Sequence, residues 1–497
     1  MRYTHENPGK MLIGGEWVEA ASGQTREIIN PANGQVIGVV VEGNEEDAKK
    51  AILAAREAFD QSGWRDVSAR GRAKLLLAVA DEIEKHAQEL AELETLNNGK
   101  ALGESESDVS SAAAVFRYYA GLVSAPHGQT YDIPNQNMQA MVVREPVGVC
   151  GQIVPWNFPL MMAAWKLAPC LAAGNVTVFK PSEVTPLTAI RLFELMEKVG
   201  FPKGVINLVL GEGRTVGAEL AASHLVDKVA FTGGTETGRS IMKAATGNIK
   251  KISLELGGKS PVIVFADAPV DIVVEYAMFA IFYGTGQVCS AGSRLLIQDD
   301  IYEEFTQKLA ARTKQIKVGN GMAPGTEMGP LVSRQHMEKV MQYIEIGKQE
   351  GATLLTGGNR IETDELKNGY FVEPTIFVDT RPDMRIVQEE IFGPVLVVQR
   401  FKDEEEAIRL ANDTVFGLAG AVFTSDATRS MRVAKKVRSG ILWVNAYHSA
   451  YHESPWGGYK QSGIGRDLGT YGLDEYMEVR QINVNMALSP LNYYKGE

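Results

Sequence analysis

Hydrophobic positions recur along this chain with two spacings, one typical of helices and one typical of strands. From Glu45 to Gln61 apolar residues return every three or four positions, which predicts an amphipathic helix. The same spacing predicts one continuous helix from Ala69 to Asn97, ended by Asn98-Gly99. A third helix is expected from about Pro159 to Ala172. Helical segments therefore account for much of the first half of the chain.

Short apolar runs between these helices predict buried strands. They lie at residues 147–154, 176–179, 205–210 and 228–231, and each is followed by a turn and a helical pattern. After the second run, Thr185 is expected as N-cap and Pro186 as first residue of a helix. A strand, turn and helix that recur in this way describe an α/β fold with a parallel sheet covered on both faces.

A second α/β series begins with the apolar run at 261–265 and extends to 441–444. We therefore place a domain boundary near Gly257-Gly258. Two further predicted strands, at 138–144 and 476–486, belong to neither series. Such segments form either an arm that pairs with another subunit or an edge hairpin within one chain.

Composition and charge narrow the class of protein. A chain of 497 residues is expected to form two or three domains. Its net charge of −11, from 50 Lys+Arg against 61 Asp+Glu, argues against a nucleic-acid partner. No stretch reaches about 18 apolar residues and no apolar signal core opens the chain, so we expect neither membrane spanning nor secretion. Three scattered cysteines do not make a disulfide framework, which favours a reducing cytoplasm.

One cysteine, Cys289, lies in a glycine-bounded loop from Gly286 to Arg294. The helix predicted before it ends at Gly284-Thr285-Gly286 and has one face that we expect to be core, formed by Ile272, Tyr276, Phe279 and Tyr283. A loop cysteine can be reached by substrate, and backbone N–H groups can stabilise its sulfur or an oxyanion. Because a thiolate attacks carbonyl carbon well, Cys289 is the candidate nucleophile. Cys150 and Cys170, in an apolar strand and an apolar helix, are expected to be ordinary buried cysteines.

A carboxylate and two glycine-rich turns add to this picture. Glu255 follows the predicted strand 251–254 between two leucines, where it is either partly desolvated or solvated at the strand end. Desolvation would raise its pKa toward that of a general base. Phe231-Thr232-Gly233-Gly234 follows a strand and opens a helix, whose N-terminus can hold a phosphate. The segment 211–217 has one residue too many for GxGxxG.

Lys180 and Glu183 follow a strand at its carboxyl end. A carboxylate there can accept both ribose hydroxyls of NAD and would repel a 2′-phosphate. The alternative is that Glu183 only complements the dipole of the next helix.

Other chemistries have less support. His448 and His452 lie in a predicted loop without HExxH, so no metal is expected, and no GxSxG is present.

Seven motifs in order make a distinctive set: Pro155-Trp156-Asn157-Phe158-Pro159, Lys180-Pro181-Ser182-Glu183, Phe231-Thr232-Gly233-Gly234, Glu255-Leu256-Gly257-Gly258-Lys259, Gly286-Gln287-Val288-Cys289, Glu389-Glu390-Ile391-Phe392-Gly393-Pro394 and Pro455-Trp456-Gly457-Gly458-Tyr459-Lys460. In these the chain resembles the NAD(P)-dependent aldehyde dehydrogenase superfamily over essentially its whole length. Within it, the chain looks most like the betaine-aldehyde and broad-specificity aldehyde dehydrogenases.

The resemblance implies a role for each catalytic residue. Cys289 would attack the aldehyde, and the Asn157 amide with the backbone N–H of Cys289 would hold the oxyanion. After hydride transfer to the nicotinamide, Glu255 would activate the water that hydrolyses the thioester. Lys166 matches a lysine that supports the glutamate or the asparagine region. Family members that pass the acyl group to coenzyme A usually lack this glutamate, so its presence favours hydrolysis.

The resemblance also implies a cofactor site for NAD. Glu390 and Phe392 would hold the nicotinamide ribose and ring, Lys180 and Glu183 the adenine ribose, and Ser182 leaves room for NADP. The full expected cofactor set is Ile153, Pro155, Trp156, Lys180, Ser182, Glu183, Gly213, Gly217, Phe231, Thr232, Gly233, Gly234, Leu256, Glu390 and Phe392.

Four aromatic residues match positions that surround the substrate in betaine-aldehyde enzymes: Phe158, Trp165, Tyr283 and Trp456. Aromatic rings attract a trimethylammonium group by cation–π interactions. Two identities depart from the plant-type pattern, which has Tyr at 158 and Trp at 283. A general hydrophobic tunnel for aliphatic or aromatic aldehydes therefore stays open as the alternative.

The family fold implies three parts: a Rossmann-like cofactor domain (1–124 and 147–258), a catalytic domain (259–456) and a β-strand oligomerisation arm (125–146 and 474–497). A homodimer or homotetramer is expected. Two alternative functions are a non-catalytic protein on the same fold and an esterase acting through the same thiol. Retention of Cys289, Glu255 and Asn157 argues against the first, and the second is expected only as a side activity.

Overall fold

The computed structural model describes residues 2–125, 128–491 and 493–494. Its α-helices, in chain order, are α1 (Glu45–Gln61), α2 (Ala69–Lys85), α3 (Ala87–Asn98), α4 (Leu102–Leu122), α5 (Pro159–Ala173), α6 (Leu187–Val199), α7 (Ala218–Ala222), α8 (Thr235–Ala244), α9 (Val270–Phe282), α10 (Tyr302–Thr313), α11 (Arg334–Gln349), α12 (Arg385–Gln388), α13 (Glu404–Asn412), α14 (Ala427–Lys436) and α15 (Gly469–Asp474). Within the described ranges no helix combines the length and the apolar character needed to cross a membrane.

The strands, in chain order, are β1 (Met11–Ile13), β2 (Glu16–Val18), β3 (Thr25–Ile29), β4 (Val36–Val41), β5 (Gln129–Tyr131), β6 (Met138–Pro146), β7 (Val149–Ile153), β8 (Val176–Lys180), β9 (Ile206–Leu208), β10 (Lys228–Thr232), β11 (Lys251–Glu255), β12 (Pro261–Val264), β13 (Arg294–Gln298), β14 (Thr353–Thr356), β15 (Thr375–Val378), β16 (Val395–Phe401), β17 (Ala421–Phe423), β18 (Trp443–Val444), β19 (Gly463–Ile464) and β20 (Met477–Asn485).

Two large sheets carry most of these strands, which confirms the predicted α/β fold. The first has the order β19-β11-β10-β7-β8-β9-β1-β2, and its five central strands are parallel. The second has the order β14-β15-β16-β13-β12-β17-β18, parallel throughout except at β14. Parallel strands end at one edge of their sheet, so the segments that follow β7, β10 and β11 are neighbours.

The two strands that belonged to neither series pair with each other. β20 runs antiparallel to β6, from Met477 opposite Pro146 to Asn485 opposite Met138, and β5 completes a three-stranded sheet. Several apolar side chains of this sheet face solvent in the single chain, among them Tyr131, Val479 and Val484.

Two predicted helix boundaries were wrong. The continuous helix expected from Ala69 breaks at His86, whose backbone leaves the helical region and whose Nδ1 lies 2.9 Å from the carbonyl oxygen of Glu82. Thr185 is not an N-cap, because the helix begins one position later than expected, at Leu187. The Thr185 hydroxyl instead donates to the carbonyl oxygen of Trp156 at 3.3 Å.

The expected core face of α9 was also wrong. Ile272 is 57% exposed and Phe279 43% exposed, whereas the buried face is formed by Val273, Val274, Ala277, Ala280 and Ile281. The helix is apolar on almost every side, so its periodicity could not distinguish the face that packs from the face that borders the site.

Candidate active site

A cavity of about 430 Å³ opens where the two large sheets meet. The segments that follow three parallel strands line it: Trp156 and Asn157 after β7, Thr232 and Gly233 at β10, and Glu255 at the end of β11. The predicted site residues that border the cavity are Pro155, Trp156, Asn157, Phe158, Trp165, Thr232, Gly233, Gly234, Glu255, Leu256, Tyr283, Cys289, Glu390, Phe392 and Trp456. Parallel-sheet edges place the motifs together although they are far apart in sequence.

The loop that carries Cys289 begins in left-handed backbone. Gly284 (φ 58°), Thr285 (φ 58°) and Gly286 (φ 70°) turn the chain sharply after α9. A Cβ on Gly286 would lie 2.2 Å from the carbonyl oxygen of Gly393, so only glycine fits at this turn. The half-buried Cys289 then faces the cavity.

The thiol of Cys289 lies near two carboxyl groups. Burial and, to a smaller extent, the nearby carboxylates of Glu390 and Glu255 raise its pKa to about 12, while the backbone N–H groups of Ser290 and of Cys289 itself act to lower it. The protein alone therefore favours the protonated thiol at neutral pH. A thiolate forms only when a base or a positive charge comes close.

Glu255 is 4% exposed and has an unusual environment. Among the described residues neither of its carboxylate oxygens has a hydrogen-bond partner. Burial raises its pKa well above the usual range, and the nearby carboxylate of Asp467 acts in the same direction. A Cβ on Gly457 would lie 2.7 Å from Oε1, so glycine there leaves room for the carboxyl group. An unpaired carboxyl with a raised pKa is suited to exchange protons with water.

Lys166 does not line the cavity. Its side chain is fully buried in α5, and its Nζ lies 2.5 Å from Oδ2 of Asp467, which does line the cavity. The positive charge of Lys166 lowers the pKa of Glu255, whereas the charge of Asp467 raises it. Lys166 thus affects the site indirectly, through its ion pair with Asp467 and through the effect of its positive charge on the pKa of Glu255.

Glu390 and Phe392 close one end of the cavity. Oε1 of Glu390 accepts a hydrogen bond from the backbone N–H of Gly258 at 2.8 Å. Phe392 has left-handed backbone (φ 65°), and its ring packs edge-on against Trp156 at 5.3 Å. Nε2 of His336 lies 2.6 Å from the carbonyl oxygen of Phe392. Strained backbone of this kind is common at ligand sites.

The expected adenine-ribose residues lie in a separate small cleft. Ser182 and Glu183 line it together with Arg26 and Glu42, and Lys180 lies directly beside it in sequence, before Pro181. Nζ of Lys180 lies 3.3 Å from Oε2 of Glu183, and it also donates to the carbonyl oxygen of Pro181 at 2.8 Å. The cleft therefore offers a carboxylate that is already oriented by an ammonium group.

The remaining predicted cofactor residues surround this region. A Cβ on Gly217 would lie 3.7 Å from both Ile153 and Lys180, and Gly213 has open space beside it. The ring of Phe231 packs against Gly233, where a Cβ would come within 2.5 Å. None of Ile153, Gly213, Gly217 and Phe231 lines the main cavity.

The four predicted aromatic residues form two pairs in the cavity wall. Trp165 and Trp456 meet edge-on at 5.5 Å, and Phe158 stacks on Tyr283 at 6.5 Å. The Tyr283 ring also contacts the exposed Phe279 ring at 5.2 Å, and of these two only Tyr283 lines the cavity. Nζ of Lys100 lies 4.1 Å from the centre of the Phe158 ring.

Sequence reasoning missed several residues of this cavity. Helix α4, which was not predicted, contributes Ser107, Asp108 and Ser111, which share one helical face. Asp108 pairs with Lys100 at 2.6 Å. The other missed residues that line the cavity are Met161, Met162, Gly257, Val288, Ser290, His336, Lys339, His448, Ala450 and Asp467. The spacing of 107, 108 and 111 on a helix was the available signal.

The two histidines weighed for metal binding lie in a loop, and only His448 reaches the cavity. Over residues 2–125, 128–491 and 493–494, no group of three or more His, Cys, Asp or Glu side chains is arranged to hold a metal ion.

Comparison with known proteins agrees with this geometry. The model described as the aldehyde dehydrogenase family matches residues 17–482. Betaine aldehyde dehydrogenase of Bacillus subtilis (strain 168) is 54% identical over 486 residues, covering 98% of this chain and 99% of that protein. Mitochondrial aldehyde dehydrogenase of Homo sapiens is 48% identical over 480 residues, covering 96% and 92%. A crystal structure of betaine aldehyde dehydrogenase from Staphylococcus aureus, in complex with NAD+ and BME-free Cys289, has a TM-score of 0.97 at 50% identity and covers 98% of this chain and 97% of that one.

Proposed function

Because this chain belongs to the aldehyde dehydrogenase family, we propose that it oxidises betaine aldehyde to the carboxylic acid with Cys289 as nucleophile and Glu255 as general base. The general activity, NAD-dependent aldehyde oxidation through a catalytic cysteine, follows from family membership and from the relatives solved with NAD+. The observation that carries the residue roles is that Cys289, Glu255 and Asn157 border one cavity at the carboxyl ends of parallel strands.

The residues divide the reaction into two stages. Cys289 gives up its proton to water and its sulfur bonds to the aldehyde carbon, while the Asn157 amide and the backbone N–H of Cys289 stabilise the oxyanion. A bound NAD would supply the hydride acceptor that this oxidation needs, and the acyl group would stay on Cys289 as a thioester. Glu255 then removes a proton from water, the hydroxide attacks the thioester, and the carbon–sulfur bond breaks to release the acid and the thiol.

The residues present fit a dinucleotide at this site. Gly213 and Gly234 leave open space at the turns after β9 and β10, where the backbone can approach a pyrophosphate. Glu183 would accept the adenine-ribose hydroxyls, Lys180 would orient Glu183, and Glu390 would hold the nicotinamide ribose beside Phe392. Ser182 at the same cleft is compatible with some NADP use.

Support for betaine aldehyde comes from the aromatic wall and from relatives. Four rings, Phe158, Trp165, Tyr283 and Trp456, line the cavity beside Cys289, and such rings attract a trimethylammonium group. Relatives that share 54% and 44% identity are named betaine aldehyde dehydrogenases.

One observation favours the second candidate, a broad range of uncharged aldehydes. The Lys100 ammonium already lies against the Phe158 ring, which weakens that ring's attraction for another cation.

A substrate panel tests the proposal. Betaine aldehyde, its uncharged isostere 3,3-dimethylbutanal, hexanal and benzaldehyde would be compared by kcat/KM from NADH absorbance, with the acid identified as product. We expect betaine aldehyde to give the highest value and Cys289→Ala to abolish turnover while retaining NAD binding. A higher kcat/KM for the uncharged isostere would favour the broad-specificity enzyme.

The organisation of the chain is part of the proposal. We propose a cofactor domain at 1–124 and 147–258, a catalytic domain at 259–456 and an oligomerisation arm at 125–146 and 474–497. The free edge and exposed apolar residues of the three-stranded sheet support a homodimer or homotetramer formed through this arm. All three cysteines are unpaired, which supports a reducing compartment such as the cytoplasm.

A further inference from the structure

Two adjacent residues contact Ser290, the residue directly after the nucleophile. The hydroxyl of Tyr447 donates to the carbonyl oxygen of Ser290 at 2.7 Å. Nδ1 of His448 lies 3.4 Å from the Ser290 hydroxyl. Both contacts bridge about 157 positions in sequence, so they link the nucleophile loop to a segment that the motif analysis left without a role.

The hydrogen bonds of His448 define its tautomer. Nε2 lies 3.1 Å from the carbonyl oxygen of Ala280, which can only accept, so Nε2 carries the hydrogen. Nδ1 is then free to accept from the Ser290 hydroxyl. Burial lowers the pKa of His448 to about 4, which keeps the ring neutral and this arrangement intact at neutral pH. The same Ala280 carbonyl accepts the backbone N–H of Gly292 at 2.8 Å.

The segment that presents these side chains has an unusual backbone. Asn445 (φ 51°) and His448 (φ 57°) are both left-handed, a conformation that costs free energy and persists only where the surroundings impose it. Tyr447 is 3% exposed, and its ring lies so close to Gly292 that a Cβ there would meet it at 3.1 Å. The nucleophile loop and the segment 445–448 are therefore packed as one unit.

We propose that Tyr447 and His448 are positioning residues that fix Ser290 on both sides of its Cα, so that its backbone N–H stays directed at the sulfur of Cys289. Tyr447 holds the carbonyl and His448 holds the hydroxyl, so the peptide group and the side chain of Ser290 are both restrained. The N–H of Ser290 stabilises the thiolate, in agreement with its lowering of the Cys289 pKa. The inference deepens the proposed function, because it concerns how the nucleophile is prepared.

Other charged groups also face the thiol and are unchanged by substitution of Tyr447. Glu255 reaches Cys289 from β11 and Glu390 from the loop before β16, and both oppose thiolate formation. The remaining titratable side chains that line the cavity are Asp108, Tyr283, His336, Lys339, His448 and Asp467. A change of the thiol's titration in Tyr447→Phe is thus attributable to the lost hydroxyl.

The test measures the rate at which iodoacetamide alkylates Cys289 across pH 6–11, without aldehyde, with Cys289→Ala as the background. In Tyr447→Phe we expect the alkylation rate to fall by about 3- to 10-fold at every pH of this range, all of which lies below the thiol pKa, the effect of one hydrogen bond. Ser290→Ala, which removes only the His448 contact, should slow alkylation by a smaller factor. NAD affinity should stay at the wild-type value.

Tyr302→Phe is the matched control, because Tyr302 is a buried tyrosine that does not line the cavity. A wild-type alkylation rate in both Tyr447→Phe and Ser290→Ala would overturn the inference, as would a slower reaction accompanied by weaker NAD binding, which would indicate general loosening of the site. Failure of the proposed function would be a different result, namely aldehyde turnover by Cys289→Ala. It would not change the alkylation rates of Tyr447→Phe and Ser290→Ala relative to wild type.

Discussion

Nδ2 of Asn157 donates to the carbonyl oxygen of Gln287 at 2.8 Å, which ties the residue that follows β7 to the loop of the nucleophile. The side chain of Gln287 in turn accepts the backbone N–H of Val332 at 2.9 Å. One amide hydrogen of Asn157 thus sets its orientation, and the other is available to an oxyanion formed on Cys289.

Asn157→Ala is expected to lower kcat by about 10²–10³-fold, the usual effect of removing one oxyanion donor. The NAD dissociation constant should change little, because Asn157 is not among the expected cofactor contacts. Steady-state NADH production and a fluorescence titration with NAD would measure the two quantities. A kcat within twofold of wild type would remove Asn157 from the oxyanion site.

Glu255→Gln should separate the two stages of the reaction. Thioester formation does not need the base, so each active site should release one NADH in a rapid burst, after which turnover falls by about 10²–10⁴-fold. Stopped-flow absorbance would show the burst. A variant with neither burst nor turnover would place Glu255 in acylation instead.

The pH dependence of deacylation should follow Glu255. Its pKa is raised by burial, and only the ionised form accepts a proton, so the rate should rise with pH as the solution passes that pKa. Lys166→Met removes a positive charge that lowers this pKa, so the rising limb should move to higher pH. Deacylation rates from pH 6 to 10 would show the displacement, and a limb that stays in place would contradict the role assigned to Lys166.

The buried ion pair between Lys166 and Asp467 contributes to the stability of the fold. Lys166→Met leaves the carboxylate of Asp467, itself 3% exposed, without its partner, and we expect a loss of about 3–5 kcal/mol in the free energy of unfolding. The double variant Lys166→Met/Asp467→Leu should recover most of that loss, because no unpaired charge then stays buried. Urea unfolding of the three proteins measures both effects, and equal stability of the single and double variants would show that the pairing is not responsible.

Trp456→Ala tests the charge of the substrate. If the ring attracts a trimethylammonium group, kcat/KM should fall about 2- to 30-fold more for betaine aldehyde than for 3,3-dimethylbutanal, the range expected for one cation–π contact. The two aldehydes have nearly the same shape, so a lost packing contact would affect both alike. Equal losses would indicate an apolar tunnel.

Local patterns identified the elements whose neighbours in sequence decide their conformation. Helix α1 has the predicted ends because acidic residues and the Asn44 cap precede a regular apolar stripe. Cys289 and Glu255 were recognised because a glycine-bounded loop and a strand end place a side chain at an accessible edge. Where the local pattern was ambiguous, as in the nearly uniform α9, the wrong face was assigned to the core.

By itself, then, the sequence determined the α/β alternation, the motif residues at the strand ends and the chemistry they carry, because backbone periodicity and side-chain type are local properties. Only the tertiary structure decided which distant residues complete the site. Lys166 acts through Asp467, 301 positions away, and Ser290 meets Tyr447, 157 positions away. Such contacts depend on which elements the tertiary fold brings side by side, and the local spacing of residues along the chain does not determine that.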